Sequence, residues 1–201
     1  MKKIQKILIG THNKGKIKEI SYLLSKKIKK ISPFDLSLKS PSETGKSFKA
    51  NSELKAKYFF KKSQTVTISD DSGLCIECLN DNPGIYSARW AKKYGGFKQA
   101  MSKIIQLVEK KNRNKKRPNT KAKFVCSLTL YFSLKKKFTT IGEINGNISN
   151  KMLGKNGFGY DSIFIPKKHS LTFGQMTKRK KMHMDHRFIA FNKLKKKINT
   201  L

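Results

Sequence analysis

VTISDDSGLCIECLNDNPGIYSARWA, from Val66 to Ala91, is the stretch that decides the fold. Val66, Thr67 and Ile68 are β-branched and Ser72-Gly73 follows a pair of acids. The spacing therefore predicts a strand ending at Asp70, a turn, and a continuation over 74–79. Asn82-Pro83-Gly84 is a second turn signal. Asp70 and Asp71 are adjacent in a chain with 12 acidic residues against 46 basic ones, a formal charge of +34. Two carboxylates so placed cost electrostatic energy unless a cation or a proton sits beside them. In so basic a chain the pair suggests a site built to hold a divalent metal among phosphates.

Working outward, residues 6–11 (KILIGT) read as a buried strand running into a polar loop, His12 to Gly15. Ile17, Ile20, Leu23, Leu24 and Ile28 then recur at helical spacing. Residues 32–45 are a Ser- and Pro-containing loop, and Ser47 is placed to cap a helix reaching about Lys61, with Phe48, Leu54, Tyr58 and Phe59 inward. Phe97, Met101, Ile104, Ile105 and Val108 predict an amphipathic helix over 97–110, followed by a charged loop over 111–123. Residues 124–132 and 138–148 alternate as paired strands, and 160–165 reads as another. A last helix from His186 carries Phe188, Phe191, Leu194 and Ile198. Strands and helices mix without strict alternation, which predicts an α/β fold, a mixed sheet flanked by helices, in one domain spanning 1–201.

A chain of 201 residues suffices for one core, or for two lobes sharing a sheet. No run of about 18 apolar residues exists to span a membrane. The basic start leads into a polar loop and not a small-residue cleavage site, which argues against a signal peptide. Three cysteines, an odd count, suit a reducing cytoplasm. A pI near 10.2 invites a nucleic-acid reading. Lys outnumbers Arg 41 to 5, however, and is scattered evenly, whereas specific phosphate and base recognition favours the planar fork of Arg. The excess reads as compositional drift of an AT-rich genome, with weak salt-sensitive binding to polyanions as its by-product.

Thr11-His12-Asn13-Lys14-Gly15-Lys16 is a phosphate-binding candidate, because a strand, a short loop and a helix N-terminus present free N–H groups and a favourable dipole. It lacks the Walker spacing, and by itself is equally an ordinary capped helix. Cys75 and Cys78 read as plain strand cysteines: three residues apart they face opposite sides, with no second pair or histidine to complete a zinc set. Residues 154–161 (GKNGFGYD) form a glycine-rich loop in which Phe158 or Tyr160 could stack on a base, or else a simple connection. KRKKMHMDHR, over 178–187, is a basic run ending where the last helix starts.

In order, the chain carries T-H-N-K-G-K (11–16), E-T-G (43–45), S-F-x-x-N-x-x-x-K-A (47–56), D-D-S-G-L (70–74), P-G-I-Y-S-A-R (83–89), G-F-G-Y-D (157–161), T-F (172–173) and H-R (186–187). Together these resemble the inosine-triphosphate pyrophosphatase family, also called dITP/XTP pyrophosphatases, over essentially the whole length. The resemblance implies a long curved mixed sheet, two lobes with a central nucleotide cleft, and a homodimer. It implies hydrolysis of deaminated purine nucleoside triphosphates (dITP, ITP, XTP) to the monophosphate and pyrophosphate. By the same resemblance Thr11, His12, Asn13, Lys14, Gly15 and Lys16 cradle phosphates, and Glu43 with Asp71 holds Mg2+. Asp71 is also the proton acceptor for the attacking water, and Lys55 faces the phosphates. Ser72, Phe158, Gly159, Tyr160, Asp161, Lys181, His186 and Arg187 contact the nucleotide, the last two helping to select a 6-oxo purine.

Departures from the family pattern fall at Ala50, where Glu is usual, and at Arg179 and Lys180, where acids are usual. Their loss is expected to raise the Mg2+ requirement, unless Glu77 or Asp161 compensates. The competing expectations are a basic nucleic-acid-binding protein on a weakened pyrophosphatase scaffold, and the same enzyme acting on an ordinary pyrimidine triphosphate.

Overall fold

Seven strands of one mixed sheet organise the chain, which a computed structural model describes over residues 4–197; Ile198 of the expected stripe lies outside the described residues. The strands are β1 (Lys6–Ile9), β2 (Lys29–Ile31), β3 (Thr67–Ile76), β4 (Asn82–Pro83), β5 (Lys121–Ser133), β6 (Lys136–Ile148) and β7 (Phe164–Pro166). They lie in the order β2-β1-β3-β5-β6-β7, with β4 pairing the far end of β3. β1 runs parallel to β2 and β3, with Leu8 opposite Thr67 and Ile9 opposite Ile68. β4 pairs antiparallel with β3, as β7 does with β6. The helices are α1 (Lys14–Leu23), α2 (Phe48–Ser63), α3 (Ser87–Lys93), α4 (Phe97–Asn112), α5 (Lys178–Met182) and α6 (His186–Lys197). The expected α/β class, a mixed sheet with flanking helices, is what forms.

The chain divides into two compact units: residues 4–71, 126–142 and 186–197, and residues 72–125 and 143–185. In the first, Ile7, Ile9, Ile20, Leu24, Ile68, Leu128, Leu130, Phe191 and Leu194 make the core. In the second, Leu74, Ile76, Ala100, Ile104, Phe124, Ile163, Phe164 and Phe173 do so. α4 buries Ala100, Met101, Ile104 and Val108, as its spacing predicts.

Three expectations are corrected. The first concerns Asp70 and the turn after it. β3 does not stop there but runs unbroken from Thr67 to Ile76, so Asp70 shapes no turn. Gly73 serves close approach instead: a Cβ there would overlap the carbonyl oxygen of Gly84 and crowd Ser87 Oγ at 2.6 Å. That Ser87 Oγ accepts the Leu74 N–H at 3.0 Å. Second, β5 begins at Lys121 inside the expected charged loop. Ala122 and Phe124 are buried while Lys121 is exposed, a period-two pattern masked by lysines. Third, 160–165 opens with a short 3-10 turn, Asp161–Ile163, closed by the Ile163 N–H on the Tyr160 carbonyl at 3.2 Å, and becomes strand at Phe164.

Ser47 caps α2 as expected, its Oγ accepting from the Ala50 N–H at 3.1 Å. The buried face of that helix is more polar than expected. Asn51, Ser52 and Lys55 are buried beside Ala56, Phe59 and Phe60, while Phe48, Leu54 and Tyr58 are half-buried. Ser52 Oγ lies 2.9 Å from both Ser127 Oγ and Thr129 Oγ1 on β5, so hydroxyl contacts stand where an apolar seam was expected. On β6, a Cβ at Gly142 would overlap the His186 carbonyl oxygen and the Ala190 nitrogen. The first turns of α6 therefore rest on bare strand backbone.

Gly73→Ala is expected to cost about 1–3 kcal/mol of stability, the ordinary cost of forcing an extra carbon into a packed interior. The midpoint of urea unfolding measures it, and an unchanged midpoint would remove close approach as the reason for glycine there.

Candidate active site

Strand alternation sends the two adjacent acids of β3 to opposite faces, and each meets its own cations. Asp70 is fully buried. Its Oδ2 lies 3.1 Å from Lys16 Nζ on α1 and accepts from Arg187 Nη2 on α6 at 3.1 Å. Arg187 Nη1 donates to Glu19 of α1, so one guanidinium joins α1, β3 and α6. Arg187 is 1% exposed and Glu19 6%. A charge so far from water persists only with opposite charge against it.

Asp71 faces α2. Its Oδ2 accepts from Asn51 Nδ2 at 3.1 Å, and its Oδ1 lies 3.4 Å from Lys55 Nζ. The same Lys55 Nζ donates to Glu43, which arrives on the irregular segment before α2. Two carboxylates from separate segments thus converge on one buried ammonium. Burial pulls the Lys55 amine down, yet Asp71, Asp70 and Glu43 together hold it above its ordinary value. Burial pushes the Asp71 carboxyl above its ordinary value, against the opposing pull of Lys55 and Lys16.

The loop after β1 is fixed by its own polar groups. Asn13 Oδ1 accepts the Lys16 N–H at 3.0 Å and caps α1, while Asn13 N–H reaches Thr11 Oγ1 at 3.2 Å. First-turn N–H groups, here those of Lys14 and Gly15, have no acceptor within a helix, and the dipole favours an anion beside them. Lys16 sets its ammonium near this end, 15% exposed at the side chain.

Residues 154–161 lie in the second unit and wrap around Asp161. Its Oδ2 accepts from the Phe158 N–H at 2.8 Å and from Lys181 Nζ at 2.7 Å. Gly157, at φ +78°, leaves room for that carboxylate. Lys181 is 3% exposed and sits 5.0 Å from the centre of the half-buried Phe158 ring. Gly159, at φ +68°, turns the chain into Tyr160, a core residue whose hydroxyl donates to the Ser87 carbonyl at 2.8 Å. Ser72 is half-buried on β3 and His186, 4% exposed, opens α6.

The carboxylates expected to compensate for missing acids are engaged otherwise. Asp161 belongs to Lys181, and Glu77 accepts from Asn119 Nδ2 at 3.0 Å. Ala50 is exposed in the first turn of α2, where its N–H meets the Ser47 cap; a glutamate there would be placed to complete a capping box. Cys75, Cys78 and Cys126 are free thiols, and burial pushes that of Cys75 up to about 11. Glu19 and Asn51 escaped notice as site residues. Glu19 had one available signal: it is the lone acid in a helix of sequence KGKIKEISYL.

Among the described residues no group of three or more His, Cys, Asp or Glu side chains forms a metal cage. Mg2+ is usually held by one or two carboxylates and completed by water and substrate phosphates. Glu43 and Asp71 are such a pair, hard oxygen donors already drawn onto one cation.

The model of the Ham1 family matches residues 7–197. A dITP/XTP pyrophosphatase of Zymomonas mobilis is 37% identical over 190 residues, covering 94% of this chain and 90% of that protein. One from Oceanobacillus iheyensis is 36% identical over 201 residues, covering 98% and 100%. Among solved structures, a HAM1 protein from Coxiella burnetii superposes with a TM-score of 0.86 at 29% identity, covering 98% of this chain and all of that one.

Arg187→Ala removes the cation shared by Glu19 and Asp70, and is expected to cost about 3–5 kcal/mol, as breaking a buried ion pair does. Chemical denaturation reads the loss. A cost under about 1 kcal/mol, the level of a surface pair, would show that the network holds nothing together.

Proposed function

The chain belongs to the Ham1 family, and we propose that it hydrolyses deaminated purine nucleoside triphosphates (dITP, ITP and XTP) to the monophosphate and pyrophosphate. The observation that carries this is the convergence of Glu43, Lys55 and Asp71, two carboxylates, one of them part-exposed, on one buried ammonium. Breaking a phosphoanhydride calls for charge neutralisation, a placed water and a base, and little covalent chemistry from the protein. The loop from Thr11 to Lys16, through the Lys14 and Gly15 N–H groups, and the Lys16 and Lys55 ammonium groups neutralise and orient the triphosphate. Asp71 accepts the proton of the attacking water, and a carboxyl held above its ordinary value is the stronger base for that task. Glu43 and Asp71 would hold Mg2+, which supplies Lewis-acid polarisation of phosphoryl oxygens.

Of the residues assigned to nucleotide contacts, Ser72, Phe158, Gly159, Tyr160, Asp161, Lys181 and His186 keep that role in this reading, while Arg187 is given to Glu19 and Asp70. Phe158 offers an aromatic face, and Asp161 and Lys181 fix the loop that presents it. Since the Arg187 donors are given to Glu19 and Asp70, His186 is the side chain to read a 6-oxo group. A site that leaves a donor unpaired against the wrong base can reject it strongly. The enzyme would work as a homodimer in the cytoplasm, with weak polyanion binding as a consequence of its charge. No helix of the described residues is long and apolar enough to cross a membrane.

The test incubates the protein and Mg2+ with dITP, XTP, dGTP and dATP, and separates pyrophosphate from orthophosphate. Pyrophosphate from dITP and XTP is expected, with Asp71→Asn lowering kcat by about 10²–10⁴-fold, the usual loss of a general base. Orthophosphate as the product, or equal rates on dATP, would defeat the proposal. Ala50→Glu is expected to lower the half-saturating Mg2+ concentration. A higher melting temperature with unchanged Mg2+ dependence would instead identify that position as a helix cap.

A further inference from the structure

His12 lies within the loop assigned to phosphate, but its ring is engaged elsewhere. Nε2 lies 2.8 Å from the Leu38 carbonyl oxygen and Nδ1 2.6 Å from Ser40 Oγ. A carbonyl can only accept, so Nε2 carries a proton toward Leu38, while Nδ1 and the Ser40 hydroxyl share the second hydrogen bond. The ring is held edge-on to Phe34 at 5.0 Å between centroids, and 6.1 Å from Phe59. Both nitrogens of the imidazole are thus committed to one stretch of chain, while Phe34 and Phe59 flank the ring.

That stretch leads to Glu43. After the 3-10 turn Pro33–Leu36, residues 37–46 run without helix or strand until Ser47 caps α2. At its far end Lys55 grips Glu43, and the Gly45 N–H donates to Asn51 Oδ1 at 2.8 Å. At its near end stand the two His12 bonds, together with the Leu38 N–H on the Pro33 carbonyl at 3.0 Å. Of the two far-end anchors, the ionic one runs through the very carboxylate assigned to the metal. An anchor of that kind is shared whenever Glu43 takes another cation. The near-end anchor involves neither Glu43 nor Lys55.

The geometry points to His12 as a positioning residue: its imidazole clasps the Glu43-bearing segment at Leu38 and Ser40, and so keeps Glu43 poised beside Asp71 for a divalent cation. The inference rests on the proposed role of Glu43 and goes beyond it, because it assigns the His12 side chain to the loop and leaves only its backbone to the phosphates. Partners that orient metal ligands from behind typically alter metal affinity by 10–100-fold.

Mn2+ is the probe, titrated into substrate-free protein and followed by water-proton relaxation, with hydrogen exchange of residues 38–45 read on the same samples. His12→Ala is expected to weaken Mn2+ binding about tenfold or more and to speed exchange across the segment. His12→Gln, whose amide can still donate to the Leu38 carbonyl, should recover most of both, and Ser40→Ala should fall between. The KM for dITP at saturating Mn2+ is read on the same variants, to separate loss of metal from loss of substrate. Should His12→Ala fail to fold, His12→Gln and Ser40→Ala carry the same test. Unchanged Mn2+ affinity and exchange would overturn the inference. So would a raised KM with normal Mn2+ binding, which would make His12 a substrate contact. Mn2+ binding insensitive to Glu43→Gln would remove its basis. Because Mn2+ binding and hydrogen exchange need no turnover, a parent protein that releases no pyrophosphate would defeat the proposed activity while leaving the clasp standing.

Discussion

Asp70 is a carboxylate sealed from water in the middle of a strand, and much of the first unit is arranged around keeping it charged. Lys16 reaches it from α1 and Arg187 from α6, while Glu19 balances the second of these cations. Each contact places an element: α1 with its anion-favouring N-terminus, α6 with His186 at its start, β3 between them. Alternation along β3 then turns Asp71 to the opposite face, where α2 supplies Asn51 and Lys55. Adjacent acids that would repel on one face are fed by separate cations on two.

The distribution of acids follows from this. Glu19, Asp70, Asp71, Asp161 and Asp185 are buried, five of the twelve in the chain, whereas carboxylates ordinarily sit on surfaces. A drift toward lysine is nearly free where water solvates each new charge. It is barred where a carboxylate is the counter-ion of a buried Lys or Arg. The +34 total is therefore a property of the surface, whereas the interior holds five carboxylates against three buried Lys and Arg side chains.

Elements whose instructions are local were legible in the sequence. α4 shows its apolar stripe, and α2 shows its Ser47 cap. β5 and β6 show alternation, except where lysines hid the first residues of β5. The turn wrongly expected at Ser72-Gly73 shows the limit, because glycine there answers to the Gly84 carbonyl, which comes into contact only once β4 has folded back on β3. The site was half legible. Glu43, Asp71, Lys16 and Lys55 stand in short motifs, and the structure draws them into ion pairs. Glu19 looks like one more solvated helix residue until Arg187 arrives from the far end of the chain. The polar buried face of α2 was hidden because hydrophobic spacing searches for apolar residues, and Asn51, Ser52 and Lys55 are buried for their hydrogen bonds.

Gly142 has no side chain and stands away from the carboxylates in sequence, yet it works as the datum from which the Arg187 guanidinium is measured. With strand backbone lying directly against the His186 carbonyl and the Ala190 nitrogen, no soft layer separates α6 from β6 to absorb error. A helix cushioned by leucines could ride outward by part of an ångström and re-pack. One seated on bare backbone has no such layer to re-pack, so the base of its arginine is held close to one distance from Asp70. The placement of the charge network thus depends on a hydrogen atom on a neighbouring strand, at a residue that performs no chemistry.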